Sequence, residues 1–214
     1  MIETFPVLCA VHSGSSMIAG AMHKMGVDMT KKATKTDSWH PRGTFERHDF
    51  MVLNNKILKQ IDGSWNNPPD EEKLITVGFG DEIKKLLEDH QKPKWGWKCP
   101  RNCLTIPVWH PHLENPKYIV LRREMKHMIS SWTRSEYKSK FGDISKTDAE
   151  STIRESYRRI DEFLKYKPRA NWASFQYEIM LEYPERELKR LARFCGVEVT
   201  ESALEMVDKQ LRHF

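Results

Sequence analysis

The chain has 214 residues, 39% hydrophobic and 30% charged, the composition of a globular protein with one sizeable domain over 1–214. It excludes a disordered or membrane chain, and no apolar run approaches the roughly 20 residues that span a bilayer. A net charge of +5, spread along the chain rather than gathered in an arm, points to an anionic ligand and away from nucleic acid.

Phe5 to Val11 is an apolar run that reads as a buried strand. His12-Ser13-Gly14-Ser15-Ser16-Met17 follows as a tight turn, and a helix is expected from about 16 to 25, with Gly26 as its C-terminal glycine. Gly14 permits positive φ and close approach, Ser13, Ser15 and Ser16 offer hydroxyls and a cap, and the free N–H groups of the helix start suit an anion. Thr30 to Thr44, with Lys31, Lys32, Lys35, His40 and Arg42, reads as a surface loop. Phe50, Leu53, Ile57, Leu58 and Ile61 have the helical period within Glu46 to Ile61, and turns are expected around Asp62-Gly63-Ser64 and Asn66 to Pro69. A helix at about 80–90 precedes a short strand over Lys94 to Cys99, stopped by Pro100.

Lys117 to Arg122 is the clearest buried strand, and helices are expected at 124–139 and 147–165. A last strand at 171–175 leads to closing helices at 184–195 and 200–212. This rhythm predicts an α/β fold of three layers, a P-loop-type architecture with a central, mostly parallel sheet flanked by helices. Ligands in such sheets sit at the carboxyl ends of the strands. The start Met1-Ile2-Glu3-Thr4 has no signal-peptide pattern, and Cys9, Cys99, Cys103 and Cys195 are scattered, so reduced thiols, a cytoplasmic location and no metal site are expected.

Against the nucleoside-triphosphatase pattern G-x-x-x-x-G-K-[ST], Cys9 stands in place of the first glycine and Ser15 in place of the lysine. That substitution disfavours ATP or GTP hydrolysis. Arg122, at the carboxyl end of a central strand, and Ser130, eight residues on, are the candidate pair for a second anion.

His12-Ser13-Gly14-Ser15-Ser16, Trp97-Lys98-Cys99-Pro100-Arg101 and Leu121-Arg122-Arg123 with Ser130 together resemble the three landmarks of sulfotransferases that use 3′-phosphoadenosine 5′-phosphosulfate, PAPS. The likeness is to the short bacterial-type branch, akin to tyrosylprotein sulfotransferases. Gly43-Thr44-Phe45-Glu46 and Ser174 to Glu178 are similar to two further family elements, so the resemblance runs over roughly 5–200. It implies that Ser13, Gly14, Ser15, Ser16 and Met17 hold the 5′-phosphosulfate, and that Arg122 and Ser130 hold the 3′-phosphate. Lys98 would then neutralise the leaving group, Glu46 would take the acceptor proton, and no metal would be required. The acceptor is expected to bear a hydroxyl (a glycan, peptide or small molecule), and the lysines of 31–35 suggest acidic character.

Two positions depart from the family pattern: His12 stands for an arginine that contacts the transferring group, and Cys99 for an aspartate. Beside a sulfotransferase, a catalytically weakened PAPS-binding protein of the same fold therefore stays open, as does, less favoured, a P-loop nucleotide kinase.

Overall fold

The computed structural model describes residues 1–30, 42–74, 76–90, 92–134 and 142–208. Four strands, β1 (Glu3–Cys9), β2 (Lys94–Lys98), β3 (Tyr118–Arg122) and β4 (Trp172–Gln176), form one sheet in the order β2-β1-β3-β4, parallel throughout. Parallel strands buried on both faces need apolar residues at consecutive positions, which is why Phe5 to Cys9 and Tyr118 to Leu121 read as runs and not as alternation.

The two-residue period of the strands sorts these runs onto two layers. Phe5, Val7, Cys9, Ile119 and Leu121 pack with α1 (Ser15–Lys24) on one face, and Leu8, Tyr118 and Val120 enter the core of the other. That second core holds residues of α2 (His48–Gln60), α3 (Glu71–Leu74), α4 (Gly80–Glu88) and α5 (Asn102–Trp109). A smaller cluster joins Ala10 to Met128 and Trp132 of α6 (Met125–Trp132) and to α7 (Lys146–Leu164). The first face is completed by α8 (Tyr177–Glu182), α9 (Pro184–Cys195) and α10 (Glu201–Glu205).

The predicted α/β, parallel architecture is thus the observed one. Three helices went unpredicted: the four-residue α3, which is too short to show a period, and two more. The first of these two, α5, is buried on nearly all sides and carries Pro107 inside it, so no apolar stripe marks it. The second, α8, has only six residues, too few to register a period. The hydroxyl cap expected at α1 is absent: Gly14 itself is the N-cap, at φ +80°, and no side chain bonds the helix start. Helix α6 is described to Trp132 and α10 to Glu205; the rest of the expected helices at 124–139 and 200–212 falls partly outside the described residues, as do Lys31, Lys32, Lys35 and His40. Arg42 is described, and pairs with Asp208 at 2.9 Å.

Candidate active site

The site lies where β1, β2 and β3 end. Strand β1 stops at Cys9, and the loop that follows carries two left-handed residues, His12 at φ +59° and Gly14 at φ +80°. Gly14 has no alternative, since a Cβ there would stand 2.3 Å from the ring of Tyr177 and the positive φ disfavours any other residue. The chain then enters α1, with the Met17 amide donating to the Gly14 carbonyl at 3.0 Å. Ser13 is fully buried and its Oγ has no hydrogen-bond partner among the described residues, a polar atom at the loop that a bound oxyanion would satisfy.

Lys98 closes β2. Its ammonium is almost fully buried and stands 2.7 Å from Oε1 of Glu46 and 3.3 Å from Oγ of Ser16. Glu46 is not in the first turn of α2, as a dipole role would require, but two residues ahead of it, and a quarter of its side chain is open to solvent. A buried cation between a hydroxyl of the loop and a partly open carboxylate combines a charge stabiliser with a proton acceptor.

Beneath Lys98 a buried polar network joins four elements, β1, β2, α2 and α5. Strand pairing between β1 and β2 ends at Val7 and Lys98, and the Val7 carbonyl accepts the Asn102 amide at 3.2 Å. The Asn102 carbonyl takes the Trp97 indole at 2.9 Å and the Asn54 amide at 3.1 Å, while Asn54 accepts from Thr105 and Trp109.

Arg122 and Ser130, expected to share an anion, are not brought together against the loop. Arg122 turns to α7, where it pairs with Asp161 and lies 5.1 Å from the centre of the Tyr157 ring; Ser130 is exposed. The next residue in each case meets the loop instead. Arg123 is buried, donates from Nη1 to the His12 carbonyl at 2.9 Å and packs over the Tyr177 ring at 4.6 Å. Ser131 Oγ lies 3.1 Å from Nδ1 of His12. The spacing is eight residues in both registers, so spacing alone cannot choose between them. One signal could have: Met128 and Trp132 form the buried stripe of α6, and Ser131 shares that face while Ser130 does not.

The His12 ring lies tilted against Trp132, with centroids 5.8 Å apart, and Trp132 stacks in turn on Trp65 at 5.4 Å. Cys99 is fully buried, and burial raises its thiol pKa, so this position offers a neutral group beside Lys98. Glu178 accepts the Glu124 amide at 3.1 Å and tethers the turn after β3 to α8. Burial would raise its pKa, but its hydrogen bonds outweigh that and hold it below the usual carboxylate range. Glu178, Glu124 and His127 lie close enough to one another to share a cation.

A sequence model described as the sulfotransferase family matches residues 11–201. The chain belongs to the sulfotransferase family. Solved sulfotransferase structures share its fold at low identity. One is the sulfotransferase domain of the curacin biosynthetic pathway (16% identity, TM-score 0.62), which covers 99% of this chain and 80% of that one. Another is the corresponding domain of the Synechococcus PCC 7002 olefin synthase (17%, TM-score 0.62, 98% and 78%). Sulfotransferase STF9 of Mycobacterium avium aligns at 13% identity and TM-score 0.58, over 98% and 68%. No curated protein matches by sequence. Among the described residues of this sulfotransferase chain, no helix is long and apolar enough to cross a membrane.

Proposed function

We propose that this chain, acting as one domain over 1–214, transfers a sulfuryl group from PAPS to a hydroxyl acceptor by in-line displacement. The observation that carries the reading is the Glu46–Lys98–Ser16 contact at the mouth of the phosphate-type loop. When bound, PAPS supplies an activated sulfuryl group on a phosphate leaving group. The amides and hydroxyls of Ser13 to Met17 would hold its 5′ end, and the unpartnered Ser13 Oγ fits an oxyanion there. Arg123 and Ser131, in place of Arg122 and Ser130, would hold the 3′-phosphate: a buried guanidinium and a hydroxyl converge on His12 from that side.

Lys98 neutralises charge developing on the leaving oxygen, and Glu46 takes the acceptor proton, a contribution of about 10²–10⁴-fold. With charge neutralisation supplied by Lys98, the proposed transfer requires no metal. His12, bonded to Ser131 through Nδ1, contributes its ring edge and less constant charge than an arginine. The partly open Glu46 carboxylate marks the acceptor side, where an acidic glycan, peptide or small molecule is proposed to enter.

A second reading, donor binding with weakened transfer, draws on one observation: the neutral, fully buried Cys99 next to Lys98. Calorimetric titration with adenosine 3′,5′-bisphosphate tests the site. Micromolar binding that survives Arg122→Ala and is lost in Arg123→Ala is expected, and silence at millimolar ligand refutes it. Release of the bisphosphate from PAPS separates transfer from binding alone.

A further inference from the structure

Glu46 belongs to no helix or strand. It lies between Phe45, at φ +51°, and Arg47, the N-cap residue of α2, so nothing in its own local structure fixes its carboxylate. A base held loosely loses most of its advantage, because proton transfer needs the donor and acceptor within hydrogen-bond reach.

The next side chain is held firmly. Arg47 is 1% exposed, and its guanidinium donates from Nε to the Gly96 carbonyl at 3.0 Å and from Nη2 to the Asp28 carbonyl at 2.7 Å, with the Asp28 carboxylate at 3.2 Å. Nη1 lies 2.7 Å from Nδ1 of His90. A guanidinium cannot accept, so His90 must accept at Nδ1 and carry its proton on Nε2, which donates to Asp49 in the first turn of α2. Burying a guanidinium is costly unless its donors are matched, and here they are matched on two backbone carbonyls, a carboxylate and an imidazole. Gly96 lies two residues before Lys98 on β2, so the strand that carries the cation also anchors the residue beside its carboxylate partner.

We propose that Arg47 is a positioning residue for the reaction: it clamps the Phe45–Arg47 segment to β2 and so sets Glu46 against Lys98, with His90 and Asp49 bracing the guanidinium. This inference rests on the reading of Glu46 as the base. A lysine keeps the charge but cannot span the same acceptors.

The test uses the full chain with Arg47→Lys, Glu46→Gln and the double variant. In the ligand-free protein, hydrogen exchange at the Met51 amide, which donates to the Arg47 carbonyl at 3.1 Å, is expected to rise at least about tenfold in Arg47→Lys while α1 is unchanged. Affinity for adenosine 3′,5′-bisphosphate stays within about threefold, and kcat for release of that product from PAPS, with water as acceptor, falls roughly 10–100-fold. Because Arg47 acts through Glu46, the double variant is no slower than Glu46→Gln alone, a non-additivity that a merely structural fastener would not show. Unchanged exchange, or losses that multiply, overturns the proposal. Parental turnover in Glu46→Gln overturns the base reading and this inference with it, whereas an impaired Glu46→Gln beside a normal Arg47→Lys overturns this inference alone. If Arg47→Lys does not fold, His90→Ala removes the brace and is read in the same way.

Discussion

Ser131 Oγ and His12 Nδ1 stand 3.1 Å apart, joining α6 to the loop after β1 at the place where Arg123 takes the His12 carbonyl. The contact ties the His12 ring, which also packs near Trp132, to the helix that carries Ser131. Ser131→Ala should weaken binding of adenosine 3′,5′-bisphosphate about five- to tenfold, the worth of one hydrogen bond, and Ser130→Ala should leave it unchanged. Titration calorimetry on the two variants decides between the adjacent serines.

Gly14 is restrained twice, by φ +80° and by the Tyr177 ring that a Cβ would meet at 2.3 Å. Gly14→Ala is expected to cost about 2–4 kcal/mol, the sum of left-handed strain and overpacking. Measured in a Tyr177→Ala background, which is itself destabilised, the Gly14→Ala loss should be smaller because the ring that the Cβ would meet is gone. Urea denaturation of the single and double variants reads both effects.

Asn102 bridges β1, β2 and α2 from a position with no solvent exposure. Replacing it with leucine strands the Trp97 indole and the Val7 carbonyl in the core. About 3 kcal/mol of stability should be lost, more than a surface change would produce, because each orphaned polar group keeps its desolvation penalty. The measurement is again the shift in urea midpoint at constant slope.

Arg158, followed by Arg159, holds the Glu155 carboxyl down to about 2 from an ordinary 4.5. A depressed carboxyl pKa stabilises the fold fully above about 4.5 and progressively less as pH falls towards 2. Glu155→Gln should therefore lower stability by about 1 kcal/mol at pH 7, a modest figure because the carboxylate is partly solvated. That difference should shrink between pH 4.5 and 2. Thermal melts of both proteins across that range check the sign.

All four cysteines are free and buried, and burial pushes the thiols of Cys103 and Cys195 up to about 12. Thiol reagents need an accessible thiolate. At pH 8 the native chain should give almost no reaction with a disulfide reagent, and all four thiols should react in concentrated guanidinium chloride.

The layers of this fold were legible in the chain itself, and the family resemblance singled out Lys98 and Glu46, which the fold brings within 2.7 Å of each other. Strand burial leaves apolar runs, helices leave a 3.6-residue stripe, and a strand–loop–helix start with a glycine advertises an anion site wherever it occurs. Helix α5 was hidden for the opposite reason: buried on nearly all sides, it has no broad polar face to set a period.

What only the tertiary structure decided is which of two adjacent residues meets the loop after β1. Arg122–Ser130 and Arg123–Ser131 have equal spacing, and a shift of one position reverses the face in a strand and turns a helix by about 100°. Packing of Met128 and Trp132 against Ala10 sets the rotation of α6, and so brings Ser131 to His12 and leaves Ser130 outside. The clamp on Glu46 was hidden in the same way. Arg47, Asp28, His90 and Gly96 are spread over nearly 70 positions of the sequence, and only the path of β2 beside α2 gathers them around one guanidinium.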